Sequence, residues 1–387
     1  MNAEKVLFSL LRAAVCDKPV ADDVKAVLTE DMLQSVGILA KQHDLAHLLQ
    51  QAVSKLGLPE SPMLNQFKKA EQNAVFRYLR MEHDYQQLCE VLENAQIAFI
   101  PLKGSVLRND YPEPWMRTSC DVDILVKEDQ LELAENVLKK ELKYVEEGKT
   151  DHDISLFSPA GVHLELHYDT MPECYEIFDS SAVMSRVWED VVPKHPGAFL
   201  CCMSDAMFYF YHIAHMAKHL KNGGCGIRSF LDLWILNHRV ENNAAERKQL
   251  LIEGDLLTFE ETATRLAEVW FSGVEPDALT TALEQFVLNG GVYGTLRNTI
   301  VIKQDIKGGK LRYALQRIYI PYDTIKYYYP VLQKHKWLTP FYQVVRWCKL
   351  VFKGGWRRAA YELHANATVS REEVASVAKL MHNLGLK

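Results

Sequence analysis

The residues most able to do chemistry in this sequence are two aspartates one residue apart. Asp121 and Asp123 lie in the apolar run Cys-Asp-Val-Asp-Ile-Leu-Val at residues 120–126. Because successive side chains of a β-strand point to opposite faces, a strand here would present both carboxylates on one face. Two anions this close repel each other unless a cation lies between them, and their hard oxygen atoms suit Mg²⁺ or Mn²⁺. In the alternative interpretation, this is an edge strand whose acids face water or pair with Arg117.

A third carboxylate follows in the segment Val-His-Leu-Glu-Leu-His at residues 162–167. In a strand, Leu164 and Leu166 would point to one face, so Glu165 would share the other face with His163 and His167. The pattern predicts a second acidic strand that could complete the metal site. A hairpin strand with one face in water would show the same alternation.

A candidate phosphate-binding turn, Lys103-Gly104-Ser105, lies upstream of both strands. Backbone amides at the start of a helix bind phosphate oxygens, glycine allows close approach, and serine adds a hydroxyl. An ordinary turn can have the same residues, because so short a motif has little specificity. Lys103 and Arg117 could neutralise phosphate charge, or each could pair with a neighbouring acid.

The pattern around these residues predicts a compact mixed α/β unit at residues 67–198. A long amphipathic helix ending near Asn94 is indicated by apolar residues at intervals of three and four. The other predicted elements are a strand at 97–100, the aspartate strand at 121–126, a helix at 128–142, and a hairpin of strands 154–157 and 162–168.

Helical patterns flank this unit on both sides. Residues 1–66 are predicted to form an N-terminal helical cap, because their apolar residues keep helical spacing. Residues 199–387 are predicted to form a C-terminal helical domain, whose last helix begins at the capping box Ser370-Arg371-Glu372-Glu373. The predicted fold class is therefore α+β, with a small mixed sheet, flanking helices and two helical regions.

The segment 97–169 resembles the polymerase-β-type nucleotidyltransferase superfamily. More narrowly, it is similar to a largely uncharacterised bacterial nucleotidyltransferase family that has a Lys-Gly turn and a Glu-x-His strand. The residues that carry the resemblance are Leu102-Lys103-Gly104, Tyr111-Pro112, Arg117 with the Asp121-Val122-Asp123 motif four residues later, and the 162–167 strand.

The resemblance implies a catalytic site and a reaction. Asp121, Asp123 and Glu165 would be catalytic and would hold two divalent ions, Mg²⁺ or Mn²⁺, although Glu165 could instead act as the base. The residues implied in nucleotide binding are Lys103, Gly104, Ser105, Arg117 and His167. The reaction would transfer a nucleoside monophosphate from a nucleoside triphosphate to an acceptor hydroxyl and release pyrophosphate.

One departure from the superfamily pattern concerns spacing. Fifteen residues, 106–120, separate Ser105 from Asp121, which is longer than the usual gap. Residues 109–118 are therefore expected to loop out. This departure affects the phosphate-binding role of Ser105 more than the metal-binding role of the aspartates.

Two further groups lie in the predicted C-terminal domain. His212, His215 and His219 fall on one helical face, where they could bind zinc or simply line a domain interface. Arg228 and Asp232 are four residues apart and could pair with each other, or Arg228 could reach substrate phosphate.

The charge distribution is uneven. The net charge of the chain is -6, yet residues 297–358 carry 14 basic and two acidic residues, a local charge of +12. Tyrosines and tryptophans are interleaved with the basic residues, as an RNA-binding surface would require. The alternative is a helical core whose polar face is basic and docks on the acidic remainder of the chain.

Composition favours a soluble, cytoplasmic protein with no membrane span, because no apolar stretch is long enough and the eight cysteines include no Cys-x-x-Cys. The acceptor could be RNA, a protein hydroxyl or a small molecule. A second hypothesis is a catalytically weak binding or regulatory module that keeps the fold and uses the basic tract to hold nucleic acid or a partner.

Overall fold

The computed structural model describes residues 1–150, 152–170, 180–239, 242–292, 294–352 and 355–386. Of the predicted basic tract, Lys353 lies outside the described residues, as do the side chains of Lys307, Tyr327 and Arg358. Within these ranges the regular secondary structure is helical except for one five-stranded and one two-stranded sheet. The α+β class predicted from the sequence is confirmed.

Five helices precede the larger sheet. Three of them are capped by Asn2, Thr29 and Ser61, whose side chains each accept a hydrogen bond from a backbone amide of the first turn. Pro62 then occupies the first position of the longest helix, where its missing amide costs nothing. The helices are α1 (Ala3–Val15), α2 (Asp22–Lys25), α3 (Glu30–Gln42), α4 (Ala46–Val53) and α5 (Pro62–Asn94).

The larger sheet has the strand order β1-β2-β5-β4-β3, in which β2 and β5 are parallel and the other neighbours are antiparallel. The helices α6 and α7 lie between its strands in the sequence. These elements are β1 (Phe99–Pro101), α6 (Gly104–Leu107), β2 (Asp121–Val126), α7 (Leu131–Glu141), β3 (Val145–Lys149), β4 (Asp153–Phe157) and β5 (His163–His167).

The alternation predicted for β2 is present and explains how the sheet is packed. Val122, Ile124 and Val126 are buried in an apolar cluster with Leu88 of α5 and Leu138 of α7. Because these three valine and isoleucine side chains take one face, the aspartates of β2 must take the other. The apolar alternation thus turns the acidic face away from α5 and α7.

The remainder of the described chain is a small hairpin followed by helices. These elements are α8 (Ser180–Met184), β6 (Val191–Pro193), β7 (Cys201–Met203), α9 (Asp205–Lys221), α10 (Ile227–Asn237), α11 (Ala244–Glu253), α12 (Leu257–Phe271), α13 (Ala278–Leu288), α14 (Leu296–Lys307), α15 (Lys310–Ile318), α16 (Tyr322–Tyr328), α17 (Val331–Lys334), α18 (Thr339–Phe352), α19 (Trp356–Thr368) and α20 (Arg371–Asn383).

The N-terminal helices share a hydrophobic core with the C-terminal helices. Leu10 of α1, Leu49 of α4 and Phe67 of α5 belong to the same buried cluster as Phe230 of α10 and Trp270 of α12. The helix α5 continues through residues 66 and 67, where the first domain boundary was predicted. The division into 1–66, 67–198 and 199–387 stays a prediction.

The expectation that residues 109–118 loop out is wrong. Tyr111 and Met116 are buried. The Tyr111 hydroxyl donates a hydrogen bond to Asp232 Oδ1 at 2.7 Å, and the Met116 carbonyl lies 2.8 Å from His47 Nε2. This segment therefore packs between the sheet and the helical regions, because it supplies both apolar side chains and polar partners to the interface.

In the described part of the chain, no helix is both long and apolar enough to cross a bilayer.

Buried histidines should make the protein less stable in acid. Burial is the largest cause that lowers the pKa of His43, His47 and His212, and hydrogen bonds to backbone carbonyls only partly offset it. Each therefore stabilises the fold fully above its unfolded pKa of about 6.5 and loses that contribution as the pH falls below it. We expect the free energy of unfolding, measured by chemical denaturation, to fall between about pH 7 and pH 5.

A substitution pair checks this prediction. His47→Gln keeps a neutral donor near the Met116 carbonyl but removes one titrating group, so it should flatten the dependence of stability on pH. The same replacement at the exposed His83 should leave the dependence unchanged. A wild-type stability that does not change over this pH interval would contradict the prediction.

Candidate active site

The pairing of β2 with β5 brings the predicted acidic residues together. In the parallel register, Asp121 is opposite His163 and Asp123 is opposite Glu165. The side chains of both aspartates and of Glu165 line a cavity of about 450 Å³ between the sheet and helices α9 and α10. The three carboxylates therefore lie on one face of the sheet, as the sequence predicted.

Asp123 is the buried member of this group, with 3% of its side chain exposed. Its Oδ1 accepts hydrogen bonds from Lys103 Nζ at 2.7 Å and from His167 Nε2 at 2.9 Å. Burial would raise the pKa of Asp123, but Lys103 and His167 outweigh it and hold that pKa well below its ordinary value. Asp123 is therefore an anion between two donors.

Asp121 has the opposite electrostatic environment although it lies only two residues away. Burial, followed by repulsion from Asp123, raises the pKa of Asp121 to about 6. Lys103 opposes this shift but is hydrogen-bonded to Asp123. The negative charge on Asp121 is thus disfavoured, and a cation beside it would relieve the repulsion.

Glu165 and His167 are also in direct contact. His167 Nε2 is 3.3 Å from a Glu165 carboxylate oxygen. Burial would lower the pKa of His167, but its hydrogen bonds to Asp123 and Glu165 raise it above its ordinary value. His167 therefore links the two carboxylates and orients both of them within the cavity.

The turn before α6 positions Lys103. Its backbone has φ 46° and ψ -118°, a left-handed conformation that only glycine adopts without strain. The Leu102 amide donates to the Asp123 carbonyl at 3.0 Å, which anchors this turn to β2. As a result the Lys103 ammonium reaches Asp123. Lys103 therefore pairs with a neighbouring acid, which was one of the two roles predicted for it.

The other residues of the predicted phosphate turn differ in their positions. Gly104 lines the cavity, and a Cβ there would lie 3.2 Å from the Cβ of Ser119, so a larger residue would crowd this wall. The cavity lining does not include Ser105, whose amide donates to the Leu102 carbonyl. The nucleotide-binding role of Ser105 stays a prediction and gains no support from its position.

Arg117 also lines the cavity, but its partner is far away in the sequence. Its Nε donates to Asp232 of α10 at 2.8 and 3.0 Å from the two carboxylate oxygens. Arg228 instead contacts Asp44, at 3.1 Å, and the Thr118 carbonyl, at 3.0 Å. The interpretation that Arg228 and Asp232 pair with each other is therefore wrong, because α10 presents them to different partners.

Helix α9 forms the opposite wall of the cavity. His215 and His219 line it, and their Nε2 atoms are 3.1 Å apart, so one ring must donate to the other. Burial, with Lys103 and Lys218 nearby, lowers the pKa of His219 to about 4. His212 bonds the Ser229 carbonyl at 3.0 Å instead. All three histidines of the predicted row therefore line the cavity, and His212 also contacts the start of α10.

Several cavity residues were missed by the sequence analysis. Tyr211 lies on α9 beside the histidines, and Asp153 on β4 is directly opposite His167. The predicted hairpin turn at 158–161 would have indicated Asp153, because counting outward from that turn pairs residue 153 with residue 167. No local pattern marks Tyr211, which directly follows the aromatic residues Phe208, Tyr209 and Phe210 on α9.

The donor set fits a hard divalent cation. Ligand atoms of Asp121, His163 and Glu165 lie within 4.8 Å of one another, as do those of Asp123, Glu165 and His167. Carboxylate oxygens are the ligands that Mg²⁺ and Mn²⁺ prefer. Burial and repulsion from Asp123 raise the pKa of Asp121, and a cation beside this carboxylate would oppose both effects. These two groups could therefore hold such an ion, and they include all three carboxylates predicted from the sequence.

Metal binding should stabilise the folded chain through Asp121. Added Mn²⁺ or Mg²⁺ at about 100 times its dissociation constant is expected to raise the unfolding free energy by about 2.7 kcal/mol, because only the folded chain assembles the carboxylates. Asp121→Asn should remove most of this increase in a thermal-unfolding experiment. Asp84→Asn, at a buried acid outside the cavity, should keep it. Equal metal responses of the two variants would exclude Asp121 as a ligand.

A known family covers the residues that build this site. The family described as uncharacterised nucleotidyltransferase matches residues 33–272, more than half of the chain. The match includes β1 to β7 and the histidines of α9, and it confirms the resemblance drawn from the sequence motifs. No curated protein and no solved structure matches the chain.

Proposed function

The chain belongs to this family of uncharacterised nucleotidyltransferases, and from that membership we propose that it transfers a nucleoside monophosphate from a nucleoside triphosphate to an acceptor hydroxyl. The acceptor oxygen bonds to the α-phosphorus. The bond from the α-phosphorus to the oxygen that bridges to the β-phosphorus breaks, and pyrophosphate leaves. The proposed catalytic residues are Asp121, Asp123 and Glu165, with Mg²⁺ or Mn²⁺ as the cofactor.

The observation that carries this proposal is the arrangement of three carboxylates and one ammonium at the same wall of the cavity. The registers of β1, β2 and β5 bring Lys103 onto Asp123 and Glu165 opposite Asp123. A purely structural ion pair would need only one of these acids. Three acids with a raised pKa at Asp121 are instead what a site for a divalent ion and a polyphosphate requires.

The cavity residues have different proposed roles in the reaction. Glu165 would either complete the metal site or receive the proton of the acceptor hydroxyl, and 27% of its side chain is exposed against 3% for Asp123. Lys103 supplies positive charge beside the phosphates, and His167 holds the carboxylates of Asp123 and Glu165 in position. A bound divalent ion supplies charge neutralisation for the phosphate oxygens.

Arg117 pairs with an acid in this cavity instead of remaining available for phosphate. Its guanidinium is held by Asp232. We therefore propose that Arg117 shapes the cavity wall and does not bind the phosphates of the substrate. The scattered cysteines favour a cytoplasmic reaction, where nucleoside triphosphates are abundant.

The test compares two positions of label in the substrate. Purified protein, Mg²⁺ or Mn²⁺ and cell extract are incubated with each nucleoside triphosphate labelled at the α- or the γ-phosphate, and RNA, protein and small-molecule fractions are separated. Transfer of α-label but not γ-label into one fraction supports nucleotidyl transfer and identifies the acceptor class. Transfer of γ-label alone would replace the proposal with a phosphoryl transfer. Label in no fraction would favour the binding-module hypothesis.

A further inference from the structure

Helix α15 leaves an apolar stripe in water. Leu311, Leu315 and Ile318 are 75%, 56% and 49% exposed, and their spacing of four and three residues places them on one face. Tyr313 on the same helix is buried and bonds Glu362. The helix therefore packs through its Tyr313 side and presents the leucine and isoleucine side chains outward.

Helix α18 repeats this arrangement. Phe341, Val344, Val351 and Phe352 are each at least half exposed, while Gln343 is buried. Single exposed apolar residues are common on protein surfaces, but apolar stripes on neighbouring helices mark interaction sites. The apolar stripes of α15 and α18 thus indicate an interaction site.

The two helices adjoin each other. Trp347 Nε1 donates to the Ile318 carbonyl at 2.8 Å, and Arg346 donates to the Arg317 carbonyl at 3.3 Å. These bonds satisfy carbonyls at the end of α15 and hold α18 against it. The stripes are therefore presented from one fixed pair of helices.

Positive charge and exposed tryptophans lie in the same segment of the chain as the stripes. Between residues 310 and 361 the only acid is Asp323, whereas Arg312, Lys349 and Arg357 are exposed cations. Trp337 and Trp356 are 76% and 53% exposed. We call the exposed side chains of α15 and α18, together with Trp337, Trp356 and Arg357, the basic apolar surface.

We propose that the basic apolar surface docks the protein on the face of an anionic phospholipid bilayer. Aliphatic and phenylalanine side chains would enter the boundary between headgroups and acyl chains, tryptophans would lie at headgroup level, and arginine and lysine would contact lipid phosphates. This placement needs no membrane-spanning helix. It also does not depend on nucleotidyl transfer, because none of these residues lines the cavity.

The composition of the surface argues against two other occupants. Single-stranded RNA stacks its bases on aromatic rings, but it gains nothing comparable from Leu311, Leu315, Ile318 or Val344. A second copy of the chain would bring two strongly basic surfaces together, which like-charge repulsion opposes. The RNA contact predicted from the sequence for residues 297–358 therefore becomes an alternative outcome of the test.

The experiment is flotation of the full chain with two kinds of vesicle, one of equal parts phosphatidylglycerol and phosphatidylcholine and one of phosphatidylcholine alone. We expect binding to the anionic vesicles that weakens with added salt. The Leu311→Ser/Leu315→Ser variant should bind them about tenfold more weakly, since two inserted side chains are lost. Leu133→Ser/Ile252→Ser removes exposed apolar residues on α7 and α11 and should bind like the wild type.

A charge variant tests the proposal independently. Arg312→Glu/Arg357→Glu keeps the stripes, so it should lose the preference for anionic vesicles, and circular dichroism reports whether each variant is folded. Equal flotation with both vesicle types would overturn the proposal. So would RNA binding, or self-association that Leu311→Ser/Leu315→Ser abolishes, in a protein that does not float with vesicles.

Discussion

Asp123→Asn should lower metal-dependent nucleotidyl transfer by about a thousandfold. The substitution removes the negative charge that the Lys103 ammonium and the His167 ring stabilise, and with it one proposed metal ligand. A loss of about 4 kcal/mol of transition-state stabilisation corresponds to that factor. The measurement is the initial rate of α-label transfer at saturating nucleoside triphosphate and Mg²⁺.

Two controls separate the loss of chemistry from the loss of the fold. Asp84→Asn changes another buried acid of the same unit, which bonds Ser158 rather than cavity residues, and should remain active. Asp123→Asn also leaves Lys103 without its carboxylate, which is costly for a largely buried ammonium. Lys103→Gly/Asp123→Asn removes that cation and suits the left-handed backbone, so it should fold and stay inactive. Full activity of either Asp123 variant would remove Asp123 from the catalytic site.

Asp232→Ala should destabilise the protein by about 3–5 kcal/mol, the usual cost of breaking a buried ion pair. The Asp232 carboxylate is 1% exposed and accepts hydrogen bonds from both Arg117 and Tyr111. Without it, a buried guanidinium and a buried hydroxyl would lose their partner at the contact between the sheet and α10. Chemical denaturation monitored by circular dichroism measures the change in the free energy of unfolding.

An exposed ion pair provides the matched control for Asp232. Arg186 and Glu253 are 2.6 Å apart but are both more than one-third exposed, so Glu253→Ala should change stability little. A Tyr111→Phe/Arg117→Met/Asp232→Leu variant, with no polar group left unpaired, should regain much of the stability lost in Asp232→Ala. Similar losses in Asp232→Ala and Glu253→Ala would show that the buried network contributes no more than the surface pair.

The acidic face of the sheet could be read from the sequence because alternation is a local property. Val122, Ile124 and Val126 are apolar at every second position, which fixes the face of Asp121 and Asp123 once the segment is a strand. The same argument applied to the strand at 163–167. The family resemblance rested on these motifs, and the family match confirms it.

The electrostatic difference between Asp121 and Asp123 could not be predicted in this way. Both are aspartates in one strand. Of the two, only Asp123 accepts hydrogen bonds from Lys103 and His167, while the pKa of Asp121 rises to about 6. That difference follows from the left-handed turn at Lys103 and from the register of β5, neither of which the residue types reveal.

The sequence by itself determined the fold class, the two acidic strands and the family, because each follows from residues close together in the chain. The tertiary structure alone decided which strands are neighbours, that α9 closes the cavity, and that Arg117 pairs with Asp232. These arrangements form because apolar surface from distant segments is buried in one core, and because each polar group buried with it needs a hydrogen-bond partner. A pairing across 115 residues has no local signal, since its free energy appears only when the chain is folded.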